Sequence, residues 1–374
     1  MSGSIRIERC SNHHTDAVQR FLGEHWRAGH ILSHDRNLLF WQHSPPRASE
    51  LGFDGPSILL ALEHDQIVGM LGLIPVGFNL RGRLLRGCWL AIWHVIEQAR
   101  STSAGLELLG MLHDLAPEAI GVLGINDRVA RIYRGLRYQV MDDLPRWIGI
   151  FNIESTSNLI GHCSPGDLQA FRIVLNQDAD DFHGILVERM EHRFTAKWDE
   201  FWNRQLAPRL IGTNRDAAYM NWRYAEHPTF RYERLSARDE RGCLCGTAVY
   251  RIETVAGSSV RVMRIVEFLA NERAGLALAR RIASDAQEFG VAFADFYCAA
   301  PQFAVSLEAV GFRRCGVEPT GPIFPCRFQP LEQSRFAMSG AFRITCEHST
   351  LSDSLLTADD LYVTKSDGDM DRPN

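Results

Sequence analysis

The sequence predicts an α+β fold, a mixed and largely antiparallel twisted sheet with flanking helices, built as two tandem units. Three observations carry this expectation. Short alternating stretches are interleaved with a few amphipathic helical ones. Their order over the first 150 residues reappears beyond the polar stretch "ESTSNLIGHCSPGD", as a divergent internal duplication would. The chain is also long enough for two cores, at 374 residues with 45% apolar and 23% charged residues.

In chain order, "SIRIERC" alternates as a short strand, and "DAVQRFLGEHW" has helical period. "SILLALEH", the pair Asp65-Gln66 and "IVGMLGLIPVGFNL" form a hairpin. A second polar turn around Arg81-Gly82-Arg83 leads into the strand "LLRGCWLAIWHV". Leu108, Met111, Leu112 and Leu115 follow at i, i+3, i+4, i+7, which predicts a helix with one buried face. "AIGVLGI" is a compact apolar strand, a helix runs from about Asp127 to Arg134, and "RWIGIF" closes the first unit, residues 1–154.

Residues 155–167 are expected to be a linker and 168–333 a second unit. In that unit "LQAFRIVL" reads as a strand and "FHGILVERMEHRF" as a helix. "RYERLSA", "CLCGTAVYRIE" and "SVRVMRIVEFLA" read as an antiparallel meander. "ERAGLALARRIASDAQEF" is a helix, "VAFADFYC" a strand, and "PQFAVSLEAV" a helix ending at Gly311. Residues 334–374 have little periodicity and end in the acidic "YVTKSDGDMDRPN", expected to be an extension on the body.

A net charge of −5 gives no support for a nucleic-acid surface or a polybasic membrane patch. The opening residues contain no apolar core of signal-peptide length, and "IVGMLGLIPVGFNL" is too short to span a bilayer. Nine cysteines without framework spacing suit a reducing compartment, so a cytoplasmic chain is expected. No metal site is expected. Asp367, Asp369 and Asp371 alternate, but Arg372 stands where a calcium loop needs its glycine, and Cys243 and Cys245 have no partner pair nearby.

The chemistry-bearing stretch is "EQARSTSAGLELLGML". Arg100, Ser103 and Gly105 have the spacing R-x-x-S-x-G between a strand end and a helix start. Helix N-termini present unpaired N–H groups and a positive dipole end, which favours phosphate there. Serine and threonine at this spacing also suit an ordinary helix start. Downstream, "NDRVARIYRGLRYQV" places Asn126, Ala130, Ile132, Tyr133 and Tyr138 after the next strand. Together the two stretches resemble the signature segments of the GNAT acyltransferase superfamily. These are a pyrophosphate loop R/Q-x-x-G-x-G/A and an Asn…Ala…Leu-Tyr-x-x-x-G-Phe segment. Ser103 replaces the middle glycine of the first, and Arg137 the glycine before the terminal aromatic of the second.

In the second half "VSLEAVGFRR" resembles the end of the second segment, while "LANERAGLALARR" lacks the loop spacing. The stretches "HWRAGHILSHDRNLLFWQH", "AYMNWRYAEHPTF" and "TKSDGDMDRP" are similar to segments of tandem-GNAT sugar N-acyltransferases, which acylate nucleotide-linked amino sugars. The resemblance implies two tandem GNAT-like domains with one acyl-CoA site, in the first.

It implies coenzyme contacts from Trp93, His94, Val95, Arg100, Ser101, Thr102, Ser103, Ala104, Gly105, Asn126, Arg128 and Tyr133. Backbone N–H groups of Trp93–Val95 would hold the thioester oxygen. Tyr133 would protonate the departing thiolate, and His30, then His94 or Glu97, would take the ammonium proton. Arg128, Arg131 and Arg134 suit either phosphate contact or a solvated helix face.

The acceptor, expected to be a nucleotide-linked amino sugar of polysaccharide assembly, would meet His30, Trp41, Gln42, Asp367, Asp369, Asp371 and Arg372. The acidic end reads equally as a frayed tail or as a carboxylate-bearing lid. A homodimer is compatible with this reading. Its alternatives are an acyltransferase for a peptide or carrier amine, and a non-catalytic carbohydrate- or partner-binding protein on a decayed scaffold.

Overall fold

Two twisted sheets organise the chain in the computed structural model, which describes residues 5–160, 164–175, 184–316, 321–332, 337–345 and 356–371. The strands are β1 (Arg6–Arg9), β2 (Ile58–Glu63), β3 (Gln66–Leu80), β4 (Arg83–Val95), β5 (Ala119–Leu123), β6 (Gln139–Met141), β7 (Arg146–Ile150), β8 (Ile185–Arg189), β9 (Ile211–Thr213), β10 (Glu233–Asp239), β11 (Leu244–Thr254), β12 (Arg261–Ala270), β13 (Phe293–Tyr297), β14 (Arg313–Cys315), β15 (Arg327–Phe328), β16 (Leu331–Glu332) and β17 (Gly340–Ile344).

The first sheet runs β1-β2-β3-β4-β5-β17-β6, with β9 joined to the far end of β3. Its long β3–β4 hairpin is antiparallel and β4–β5 is parallel. A parallel pair needs a crossover, and the Ala104–Asp114 helix supplies it. That helix buries Leu108, Leu109 and Leu112, while Met111 and Leu115 pack at the edge of the same core, as their spacing predicts. The second sheet, β14-β7-β13-β12-β11-β10-β8, repeats the pattern. β10, β11 and β12 form the antiparallel meander, the Glu272–Glu288 helix crosses over, and β13 returns parallel to β12.

Four expectations are corrected. Arg146–Ile150, read as closing the first unit, pairs with β13 and β14 in the second sheet. Gly340–Ile344, from the stretch read as an extension, inserts between β5 and β6 of the first. The sheets therefore exchange strands across the boundary drawn at residue 154. Periodicity reports that a segment is a strand but not which edge it joins. "FHGILVERMEHRF" contains the edge strand β8 and not a helix, because Ile185 and Val187 alternate onto one face. "LQAFRIVL" forms a 3₁₀ turn at Gln169–Phe171, followed by a bridge between Arg172 and Ile150.

Among its described residues the acidic end is not frayed. Residues 361–371 run as a mostly buried strap. Tyr362 N donates to Ile211 O at 2.8 Å, and Ala299 N donates to Val363 O at 2.9 Å. Arg215, fully buried, donates Nε to Glu267 at 2.8 Å and Nη2 to Asp367 at 2.7 Å. Arg251 Nε lies 3.3 Å from Asp371, which also accepts from the Tyr232 hydroxyl at 2.8 Å. Arg223 Nε donates to Ser366 O at 3.0 Å. Burial raises the Glu267 carboxyl, whereas Asp371 is held below its ordinary value against burial by Arg251 and Arg223.

Breaking a buried pair by removing one partner leaves uncompensated charge. Arg215→Met should therefore lower unfolding stability by about 3–5 kcal/mol in denaturant titration. A change under about 1 kcal/mol would contradict the anchoring role of this pair.

Candidate active site

The site begins with a backbone irregularity. Leu71 pairs with Trp93 and Gly72 with Ala91, so Ile92 is an extra residue on β4, held at φ 55°. This is a β-bulge, which bends the strand and re-aims the side chains beyond it. Gly72 is required opposite it, since a Cβ there would lie 2.4 Å from the Ala91 carbonyl oxygen. β4 pairs with β5 from Gly87–Ala119 to Leu90–Val122 and then parts from it. A cavity of about 820 Å³ opens between residues 90–95 on one lip and 122–126 on the other.

Ile96 N donates to Val68 O at 2.9 Å, on the β3 side. Alternation along the strand turns the amides of Val95 and Trp93 the other way, toward the opening.

The loop after β4 begins with a 3₁₀ turn at Glu97–Ala99. Arg100 Nε reaches back to Val95 O at 3.3 Å, and Thr102 Oγ1 donates to Ala99 O at 2.6 Å. Arg100, Thr102 and Gly105 line the cavity; Glu97, Ser101, Ser103 and Ala104 do not. Ser103 has an ordinary right-handed backbone (φ −75°, ψ −6°), so a glycine conformation is not needed here. Its hydroxyl donates to Glu107, on the side away from the cavity, and makes no capping bond to the helix. The serine thus leaves the cavity side of the loop open. Arg137 behaves differently: at φ 62° it keeps the left-handed turn that glycine would provide.

On the other lip, Asn126 Oδ1 accepts from Val129 N at 3.0 Å and starts the Asp127–Gly135 helix. This places Asn126, Arg128 and Tyr133 along the cavity, while Arg131 and Arg134 are not in its lining. Arg134 pairs with Asp142 at 2.8 Å in solvent. Tyr133 is 1% exposed, and its hydroxyl makes no hydrogen bond to another described residue. Burial raises the phenol well above its ordinary value, keeping it protonated. His94 lines the cavity half-buried between Phe21 and Trp26, at ring distances of 5.8 and 5.5 Å. Burial, then Arg100 and His25, lower its pKa, so the imidazole is neutral at pH 7.

Trp26, Arg27, Arg327, Asp369 and Met370 complete the lining. Arg27 and Arg327 both approach Glu332, at 3.3 and 3.5 Å. Met370 seats against Gly124, where a Cβ would come 2.6 Å from the sulfur at φ 74°. The strap thereby closes one end of the cavity. Trp26 and Arg27 lie within the stretch "HWRAGHILSH" and were legible as neighbours of His30. Arg327 carried no signal.

Several expected residues are elsewhere. His30 is fully buried, and its Nδ1 accepts from Leu32 N at 3.3 Å, capping a 3₁₀ turn outside the lining. Trp41 stacks on Trp222 at 4.8 Å and Gln42 is buried beside His43, so neither lines the cavity. Asp367 and Asp371 are bound by Arg215 and Arg251. Of the three aspartates only Asp369 lines the cavity, and Arg372 lies outside the described residues. For Asp367 and Asp371 the cause is that buried charge pairs are long-range, and spacing cannot reveal them.

No known sequence family and no curated protein matches the chain. Solved structures do. A GCN5-related N-acetyltransferase from Anabaena variabilis aligns with TM-score 0.57 and 12% identity, over 91% of this chain and 73% of that one. An Enterococcus faecalis protein described as a probable N-acyltransferase gives 0.55 and 13%, over 91% and 72%. Saccharomyces cerevisiae N-myristoyltransferase with bound myristoyl-CoA gives 0.54 and 10%, over 91% and 82%. At these identities the likeness shows the fold. The chain has the mixed α+β fold of GCN5-related N-acetyltransferases.

The electrostatics make a prediction. Removing the Arg100 charge in Arg100→Gln should raise the His94 pKa while leaving it below its ordinary value, since burial is the larger cause. An imidazole NMR titration reads this directly, and a fall in pKa would contradict it.

Proposed function

We propose that the chain is an acyl-CoA-dependent N-acyltransferase with its coenzyme site in the first sheet. The observation that carries this is the parting of β4 and β5 beside an open helix N-terminus. The cavity suits a ligand with an anionic end and an extended arm: amides and Arg100 at the loop, apolar lips from Leu90 to Ile125, and a phenol without a partner among the described residues. Bound there, an acyl-CoA supplies an activated thioester carbonyl.

The chain's own groups then have separable tasks. The amides of Ser101, Ser103 and Gly105 and the Arg100 guanidinium hold the diphosphate, those of Thr102 and Ala104 donating to Ala99 O and Thr102 Oγ1. The Trp93 and Val95 amides receive the thioester oxygen as charge builds on it. His94, neutral and in the lining, takes the proton from the acceptor ammonium. Tyr133 passes its proton to the thiolate as the C–S bond breaks. It recovers one from the nitrogen, which sheds its second proton once the C–N bond has formed, so the phenol ends neutral as burial demands. Transfer is direct: no cysteine is among the described lining residues, and burial pushes the Cys88 thiol up to about 12.

The acceptor is an amine on a nucleotide-linked sugar. Asp369 supports this as a carboxylate for the ammonium, and Arg27 and Arg327 as guanidiniums within reach of a diphosphate.

Free-thiol release from acetyl-CoA, measured across a panel of nucleotide amino sugars, tests donor and acceptor together. His94→Ala should cut kcat about 10²–10⁴-fold. The wild-type acid limb should lie below the usual histidine range, because protonating His94 removes the base. Asp369→Asn should raise the acceptor KM and leave the acyl-CoA KM unchanged. Thiol release that proceeds equally in His94→Ala would contradict the assignment.

A further inference from the structure

The Trp93 indole Nε1 is shielded from solvent and has no hydrogen-bond partner among the described residues. Tryptophan N–H groups normally find an acceptor when buried, so an orphan donor calls for an explanation. Among the described residues three other buried side-chain atoms lack partners, on Ser157, Tyr219 and Arg234, and none of those residues lines the cavity. Trp93 does.

Its position is informative. A Cβ built on Gly105 would lie 3.5 Å from Trp93 Cζ2 and 3.8 Å from Nε1, so the N–H edge lies beside the second residue of the Ala104–Asp114 helix. The ring also lies 6.1 Å from Tyr133, centroid to centroid. The indole is thus near both the loop assigned to the diphosphate and the phenol assigned to the thiol.

We infer that the Trp93 side chain is a coenzyme-positioning residue: its indole N–H donates to an oxygen of bound acyl-CoA where the coenzyme passes Gly105. This rests on the acyl-CoA reading and adds to it a side-chain donor that backbone amides do not supply. The Nε1 is out of reach of water as the ring stands, so the indole turns its N–H edge toward the coenzyme on binding, which relieves the cost of the unpaired donor.

Trp93→Phe separates this from ordinary core packing. Removing an orphan donor should leave the melting temperature of the free protein unchanged or higher, yet weaken CoA binding about tenfold by calorimetry. The acyl-CoA KM should rise with kcat changed less. Titration with 3′,5′-ADP and with pantetheine then shows which part of the coenzyme loses affinity.

A measurement on the unmutated protein guards against a variant that folds poorly. With ¹⁵N-tryptophan labelling, the Trp93 indole resonance should move downfield on adding CoA. CoA binding to wild type with that resonance unmoved overturns the inference but leaves the acyl-CoA reading standing. Affinity unchanged within twofold in Trp93→Phe does the same, as does a fall in melting temperature that accounts for the lost affinity. Wild type with no affinity for CoA overturns both.

Discussion

Two parallel strands that begin as partners and then separate are the constraint on which the rest of this architecture turns. Past Leu90 and Val122 the facing backbone groups of β4 and β5 have no ladder to join, and buried peptide groups left unpaired are costly. The fold sustains the gap from three sides. The bulge at Ile92 turns β4 away, and Gly72 makes room for it. β17 pairs with β5 along its whole length, Ala119 to Leu123, so that strand stays fixed on its other edge. The helix beginning at Ala104 then aims its first amides at the mouth.

The second sheet makes the same opening and closes it with protein. β12 and β13 pair only from Met263–Ala294 to Ile265–Phe296. Beyond that point the strap enters: Phe268 N donates to the Tyr362 hydroxyl oxygen at 2.9 Å, and Cys298 bridges to Thr364. The Tyr362 hydroxyl donates in turn to Glu267 at 2.9 Å. The helix starts differ accordingly. Asn271 caps the Glu272–Glu288 helix by accepting from Ala274 N at 3.0 Å, whereas Ser103 directs its hydroxyl to Glu107. Asn271 takes up one amide of its helix start and the strap fills the space beside it, whereas at the other start Thr102 Oγ1 accepts from Ala104 N at 3.3 Å and Ser103 makes no capping bond. The strap also links the halves, since the arginines that bind Asp367 and Asp371 fix the segment carrying Asp369 and Met370 to the first cavity.

Much of this was legible in the residues. The β3–β4 hairpin, the Leu108/Leu112 helix and the meander 233–270 follow from period and turn chemistry, which are local. So does the loop at Arg100–Gly105, because strand, small residues and helix are contiguous. The exchange of β7 and β17 was not legible, since edge selection depends on partners far away along the chain. The three aspartates show the same limit most sharply. Their alternation invites a shared role, but Arg215 and Arg251 take two of them into the core and leave one at the cavity. His30 failed for a related reason: a histidine's chemistry is universal, but its access is decided by packing. His94 could not be ranked above it without knowing which of them the cavity exposes.

The most direct measurement is a crystal structure with acyl-CoA bound. The account predicts the diphosphate within hydrogen-bond distance of the amides of Ser101, Ser103 and Gly105 and the thioester between β4 and β5, its oxygen facing Trp93 or Val95. Coenzyme bound at the second sheet, or lying outside the opening between Leu90 and Asn126, would contradict it.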